Sequence, residues 1–277
     1  MIVNKIGLEA EYVLKDSKGN LAIPPGYFDR DDFPLLGEIR GDAGVNVAET
    51  VSNFFAKKLK ILSDVAKKHT VVFSPAERCP LALYRKVNAQ IKTDKGAEET
   101  KVLNIYGTDI KDYSSQIIKN GKIQGIKVSC GLHIHFSSEE TNQVEVEDEQ
   151  YEHINIPVGF KTLSNNTKEG DVAQVLGQNF ISLYKKKGYK VKKTLVCRAS
   201  RLNKPAVEYI VKKMDDEFFE RFAPAKEDRT KYRMPGYFEL KPYGFEYRSL
   251  AMSEQTDQAL LEIAQFAHKL LVEINEI

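Results

Sequence analysis

Hydrophobic and polar positions near the N-terminus repeat with a period of two. Ile6, Leu8, Ala10, Tyr12 and Leu14 fall on one set of alternate positions, and Glu9 and Glu11 fall on the other. That pattern predicts a strand whose apolar side meets a core and whose opposite side carries two adjacent carboxylates. Asp16-Ser17-Lys18-Gly19-Asn20 is turn chemistry. Leu35 to Asp42 reads as a short strand closed by Gly41, with Glu38 and Arg40 on one face and Ile39 on the other. From Asn46 to Lys68 the spacing changes to three and four, through Val47, Val51, Phe54, Phe55, Leu59, Leu62 and Val65, which predicts an amphipathic helix with Lys57, Lys58, Lys60, Lys67 and Lys68 on its wet side and at its end.

Short strands are expected over Val71–Phe73 and, from the alternation of Val87, Ala89 and Ile91, over Arg85–Lys92. Asn120-Gly121 is a tight turn. Val128, Cys130, Leu132, Ile134 and Phe136 then form the most regular apolar alternation in the chain, against Ser129, Gly131, His133, His135 and Ser137. Glu139 to Glu152, with seven acidic residues, reads as a solvated connection. A strand near His153–Phe160, a helix near Asp171–Lys187 and a strand near Tyr189–Cys197 follow. Pro205–Phe222 is a helix with a buried stripe of Val207, Ile210, Val211, Met214, Phe218, Phe219 and Phe222. A basic loop near 223–236 leads to a strand from Tyr237 to Leu250, where Glu246 and Arg248 share a face opposite Phe245 and Tyr247. Ser253 is placed to cap a last helix to Ile274 with the stripe Leu260, Leu261, Ala264, Ala267, Leu271 and Ile274. No repeat or linker divides the chain, so residues 1–277 read as one α+β domain with antiparallel strands carrying the site and helices covering the back.

Composition adds limits. The 277 residues carry 41 basic and 39 acidic side chains, so nothing in the overall charge points to nucleic acid or an anionic membrane. Three widely spaced cysteines fit neither a disulfide framework nor a four-cysteine zinc site, and a reducing cytoplasm is the expected compartment. No apolar run approaches the roughly 20 residues that a membrane helix needs.

The chemistry lies in the pairs at i and i+2: Glu9 with Glu11, Glu38 with Arg40, His133 with His135, and Glu246 with Arg248. Singly, each is an ordinary polar strand face. On one sheet surface they would bring together carboxylates, imidazoles and guanidinium groups without a thiolate, a donor set suited to Mg²⁺ or Mn²⁺. A zinc hydrolase is the competing metal reading, since His-x-His is also a zinc pair. Arginines beside metal carboxylates point to a phosphate held from two sides, and with no Walker loop the cradle would be metal plus arginine.

These motifs resemble the glutamine synthetase/glutamate-cysteine ligase superfamily, and within it the small type-2 carboxylate-amine (COOH-NH2) ligases common in phage genomes. The likeness runs from Gly7-Leu8-Glu9-Ala10-Glu11 through Gly37-Glu38-Ile39-Arg40-Gly41 and Cys130-Gly131-Leu132-His133-Ile134-His135-Phe136 to Lys241-Pro242-Tyr243-Gly244-Phe245-Glu246-Tyr247-Arg248. The resemblance implies a curved antiparallel half-barrel with helices on its convex side, binding ATP and two or three Mg²⁺. It matches Glu9, His133 and Glu246 to ligands of the metal nearest the nucleotide, and Glu11 and Glu38 to ligands of a substrate-side metal. It matches His135 and Arg248 to phosphate contacts, with Arg229 and Arg233 as further candidates for gripping phosphate. Arg40, beside Glu38, is placed to hold a substrate carboxylate. The implied reaction joins a small-molecule or peptide carboxylate to an amine through an acyl phosphate, and members of the superfamily often complete their sites with a neighbouring subunit. The alternatives are a metal-dependent hydrolase and a non-catalytic metal- or nucleotide-binding protein of phage assembly.

Overall fold

The structure is a computed structural model that describes residues 2–26, 28–30, 35–72, 77–91, 102–107, 115–146, 193–223, 233–241 and 243–274. The expected elements at 153–160 and 171–187, most of the basic loop, and Arg229 lie outside them. The architecture is mixed α+β, dominated by a large open antiparallel sheet. Its central path runs β3 (Asp29–Arg30), β4 (Leu36–Arg40), β1 (Ile2–Lys15), β10 (Gly131–Val146), β13 (Gly244–Ala251), β12 (Tyr237–Lys241) and β7 (Val102–Asn104). Strands β2 (Leu21–Ala22) and β5 (Thr70–Val72) pair with the far end of β1, and β11 (Lys193–Ser200) extends β10. A second sheet joins β6 (Glu77–Pro80), β9 (Lys122–Val128) and β8 (Ser115–Lys119). Asn120 and Gly121, at φ 51° and 69°, turn β8 into β9 as the paired left-handed residues of a tight hairpin turn.

The apolar set of β1, from Ile6 to Leu14, is buried, as are Leu132, Ile134 and Phe136 of β10 and Phe245 and Tyr247 of β13. Phe136 and Phe245 stack with ring centroids 4.8 Å apart. Helix α1 (Val47–Val65) starts at Asn46, whose side chain accepts from the Glu49 amide. It packs against β1 and against the last helix, α4 (Thr256–Glu273).

The phase of α1 differs from the expected stripe. Its buried residues are Thr50, Phe54, Lys58, Ile61 and Val65, while Leu59 is 69% exposed. Two polar side chains are accommodated inside because each meets a partner. Thr50 Oγ1 donates to Ile6 O at 3.2 Å and lies 2.9 Å from His268 Nε2, and Lys58 is ion-paired to Asp257. Lys58 is therefore an interior residue, not part of the wet side. In α4 the expected Leu261 is likewise outside, at 51% exposure, and Ile263 and Leu270 are inside. Ser253 lies upstream of α4; its amide donates to Thr256 Oγ1, and Gln255 precedes the first turn.

Four further expectations are corrected. The segment 85–91 belongs to helix α2 (Leu81–Ile91), because the wider window containing Leu83, Tyr84, Val87 and Ile91 recurs at three and four. The acidic stretch is not a connection at its start, since residues 139–146 continue β10 and pair with β11. The strand drawn across 237–250 is a hairpin, in which Lys241 pairs with Gly244. The 205–222 helix is α3 (Lys204–Met214) followed by a π-helical segment, Asp215–Phe219, and a last turn, Glu220–Phe222. Its expected apolar stripe is buried throughout.

That π segment brings Asp215 to β13, where the Tyr247 hydroxyl donates to Asp215 Oδ1 at 2.7 Å. Burial raises the Asp215 carboxyl from 3.8 to about 6, against the opposing effect of the Tyr247 hydrogen bond. A carboxyl raised on folding contributes stability that is fully present below 3.8 and is lost as pH rises through about 6.

Two outcomes are expected. Ile61→Ala lowers stability by about 2–5 kcal/mol in urea denaturation, whereas Leu59→Ala changes it by less than about 0.5 kcal/mol; equal costs would mean that α1 has the other phase. Asp215→Asn is more stable than the parent at about pH 7.5, and the gain shrinks as pH falls toward 4; a gain that does not vary with pH would show that the carboxyl does not titrate in this range.

Candidate metal and phosphate site

Register decides which functional side chains meet. In one row across the sheet Arg40 of β4 pairs with Glu9 of β1, and Glu9 with His133 of β10. In the next, Gly7 pairs with His135, His135 with Glu246 of β13, and Glu246 with Glu239 of β12. Glu11 faces Glu38 in a third. Opposite His133 the ladder slips, so that Arg248 and Ser249 together occupy the place of one residue. This bulge ends the odd-numbered core alternation of Phe245 and Tyr247 and resumes it at Leu250, leaving Arg248 beside the glutamates.

The surface so formed is buried, unlike an ordinary polar strand face. Glu9, Glu11, Glu38, Glu239 and Glu246 are each no more than 2% exposed, and His133 is fully buried. His133 Nδ1 lies 2.9 Å from Glu9 Oε1 and 2.9 Å from Glu246 Oε1. His135 Nε2 is 3.1 Å from Glu9 Oε2, and its Nδ1 lies 2.5 Å from the Tyr243 hydroxyl. Arg40 contacts both Glu9 and Glu38. Arg248 Nη1 bridges Glu239 at 2.9 Å and Glu246 at 2.6 Å, and Lys241 Nζ bridges the same two carboxylates at 2.5 and 3.0 Å. Arg233 Nη2 is 2.5 Å from Glu11 Oε2.

Electrostatics follow from these contacts. Burial opposes ionisation of Glu9, but hydrogen bonds from His133 and His135 outweigh it and hold its carboxyl far below the usual range. Glu246 is also held low, with Arg248 and His133 overcoming burial. Burial and Arg248 work against a charge on His133, yet Glu11 and Glu246 leave its affinity for a proton raised. Glu9 and Glu246 face the Nδ1 side of the ring, and Glu11 Oε1 lies 3.6 Å from Nε2. Burial, with Glu246 and Glu9 nearby, drives the Tyr243 hydroxyl well above its ordinary value, so it stays a neutral donor.

Glu9, His133 and Glu246 offer ligand atoms within 4.8 Å of one another. Two carboxylate oxygens and one imidazole nitrogen, all buried, fit a hard or borderline divalent cation. The cluster is polarised. Arg233 and His133 are sealed, whereas the Arg40 side chain is 50% exposed, Lys241 21% and His135 15%. The open side of the cluster is therefore that of Arg40, His135 and Tyr243, and Glu11 lies at the closed end.

Of the residues expected from sequence, Glu9, Glu11, Glu38, Arg40, His133, His135, Glu246, Arg248 and Arg233 share one connected network. Sequence reading missed Glu239, Lys241 and Tyr243, because it ran one strand through the β12–β13 hairpin; Pro242 was the available signal. Compared with family models, curated proteins and solved structures, the chain matches none of them.

Glu239 is buried, and both Lys241 and Arg248 are ion-paired to it. Glu239→Ala is expected to cost about 3 kcal/mol in urea denaturation, since it leaves two partly buried cations to share one carboxylate. Tyr243→Phe, at the exposed rim, is expected to change stability by less than about 0.5 kcal/mol. A Glu239→Ala cost no larger than that of Tyr243→Phe would remove Glu239 from the network.

Proposed function

We propose that the chain is an ATP-dependent carboxylate-amine ligase, forming an amide or peptide bond between a small-molecule or peptide carboxylate and an amine. The observation that carries this reading is the convergence of Glu9, His133 and Glu246 from three neighbouring strands on one buried point, with Arg40, Lys241 and Arg248 ranged on its open side. Phosphoryl transfer needs charge neutralisation and in-line positioning more than it needs a protein nucleophile, and that is what this residue set offers. In this reading the open antiparallel sheet is the half-barrel of the superfamily that the motifs resemble.

In the first step a carboxylate oxygen attacks the γ-phosphorus of ATP, the bond from that phosphorus to the β,γ-bridging oxygen breaks, and ADP leaves. The amine nitrogen then attacks the acyl carbon, phosphate departs with the electron pair of the acyl C–O bond, and the nitrogen loses its proton to give the amide. Mg²⁺ or Mn²⁺ held by Glu9, His133 and Glu246 supplies Lewis-acid neutralisation of phosphate charge when bound. Arg248 and Lys241, fixed by two carboxylates each, offer donors that need no reorganisation as charge moves onto the leaving group. In this reading His135, oriented by Tyr243 and Glu9, lines the mouth where phosphate oxygens would lie. Arg40 is half exposed and placed to orient the substrate carboxylate by a two-pronged contact.

The purified protein is expected to release ADP from ATP and Mg²⁺ only when pools of carboxylic acids and amines are both supplied. Glu9→Ala, His133→Ala and Glu246→Ala each abolish that release while retaining cooperative unfolding. Wild-type turnover in all three variants would exclude the metal assignment. Nucleotide-free hydrolysis of amide or ester substrates would make the protein a hydrolase, and ATP left intact across broad substrate pools would make it a binding protein.

A further inference from the structure

We infer that Arg233 is the resident cation at the closed end of the site, so that the chain takes one divalent ion at Glu9, His133 and Glu246 and none at Glu11 and Glu38. This rests on the reading of the first three residues as a metal site, and it departs from the expectation that Glu11 and Glu38 hold a second metal.

Arg233 is 0% exposed, and the contacts of its guanidinium form a built socket. Nε donates to Ser129 Oγ at 3.1 Å. Nη1 donates to Leu250 O at 3.3 Å and meets His133 Nε2 at 3.3 Å. Nη2 donates to Glu11 Oε2 at 2.5 Å and to Ser129 O at 3.3 Å. A guanidinium has five N–H groups, and four oxygen acceptors surround this one.

The backbone is shaped around the same group. A Cβ on Gly131 would stand 2.2 Å from Nη1, 2.4 Å from Nη2 and 2.5 Å from His133 Nε2, so the missing side chain is the space that the guanidinium fills. The Gly131 amide donates to the same Glu11 oxygen that Arg233 holds, at 2.5 Å. That oxygen already has two donors. Glu38, across the ladder from Glu11, is engaged by Arg40 at 2.7 Å.

Charge points the same way. Among the described residues, Glu9, Glu11, Glu38, Glu239 and Glu246 face Arg40, Arg233, Lys241 and Arg248, which leaves one negative charge uncompensated. One divalent ion turns that into one positive charge, suited to receiving a polyphosphate. A second would have to sit against a buried arginine at Glu11, where like charge repels it most strongly. Arg233 is thus a positioning residue: it fixes Glu11, whose Oε1 lies 3.6 Å from His133 Nε2, while the Nδ1 side of that ring is left for the ion.

Mn²⁺ titration of the full chain without nucleotide, read by calorimetry and native mass spectrometry, tests this. One ion per chain is expected, with affinity reduced at least tenfold by Glu246→Gln. Arg233→Gln and Arg233→Met are expected to keep the first ion, which also shows that the strands still converge, and to admit a second. Two ions on the parent protein, or a single ion on both variants, would overturn the inference and leave the three-residue site standing. No ion on the parent removes that site and this inference together. One ion on a parent that never turns over ATP removes the ligase reading and upholds this one.

Discussion

Mutual repulsion among carboxylates buried on one side of a sheet is the constraint to which the rest of this structure answers. Glu11 pairs with Glu38 across the ladder and Glu239 with Glu246, and these four and Glu9 are almost entirely out of water. Carboxylates so placed are tolerated only when fixed positive groups lie among them. Each basic side chain that contacts the cluster serves at least one carboxylate, and Arg40, Lys241 and Arg248 serve two. The apolar side of the sheet, closed by α1, α4 and the Asp215 segment, supplies the burial that holds this arrangement together.

The division between the two faces was legible wherever alternation was strict. In β1 and in the first part of β10 an apolar side chain at every second position leaves no choice of face, because a slip of one residue would expose the whole set. Glu9, Glu11, His133 and His135 follow directly. Glu246 and Arg248 were readable for the same reason, even though the bulge between them and Leu250 was not.

What was not legible depends on partners distant in sequence. Lys58 looks like solvated surface until Asp257, on another helix, is known to stand beside it. Leu59 and Leu261 have every intrinsic mark of core residues and are exposed because helix phase is set by what the helix packs against. Arg233 is the strongest case. It lies in a basic, proline-broken stretch that reads as a surface loop, and only the convergence of Ser129, Gly131 and Leu250 makes an interior position for it. Glu239 was hidden by a simpler cause, a hairpin taken for one strand.

The bulge at Arg248 and Ser249 gives β13 two independent halves. Upstream of it, the strand is held to the phase that directs Glu246 inward among the charges; downstream, Leu250 is free to follow the phase that the core demands. In a regular ladder those requirements would compete, and a residue chosen for the site would set the packing of every residue after it. With one extra residue between them, the charged end of the strand can be altered without turning the apolar end out of the core. Loss of either Arg248 or Ser249 from the chain, by contrast, would damage both at once.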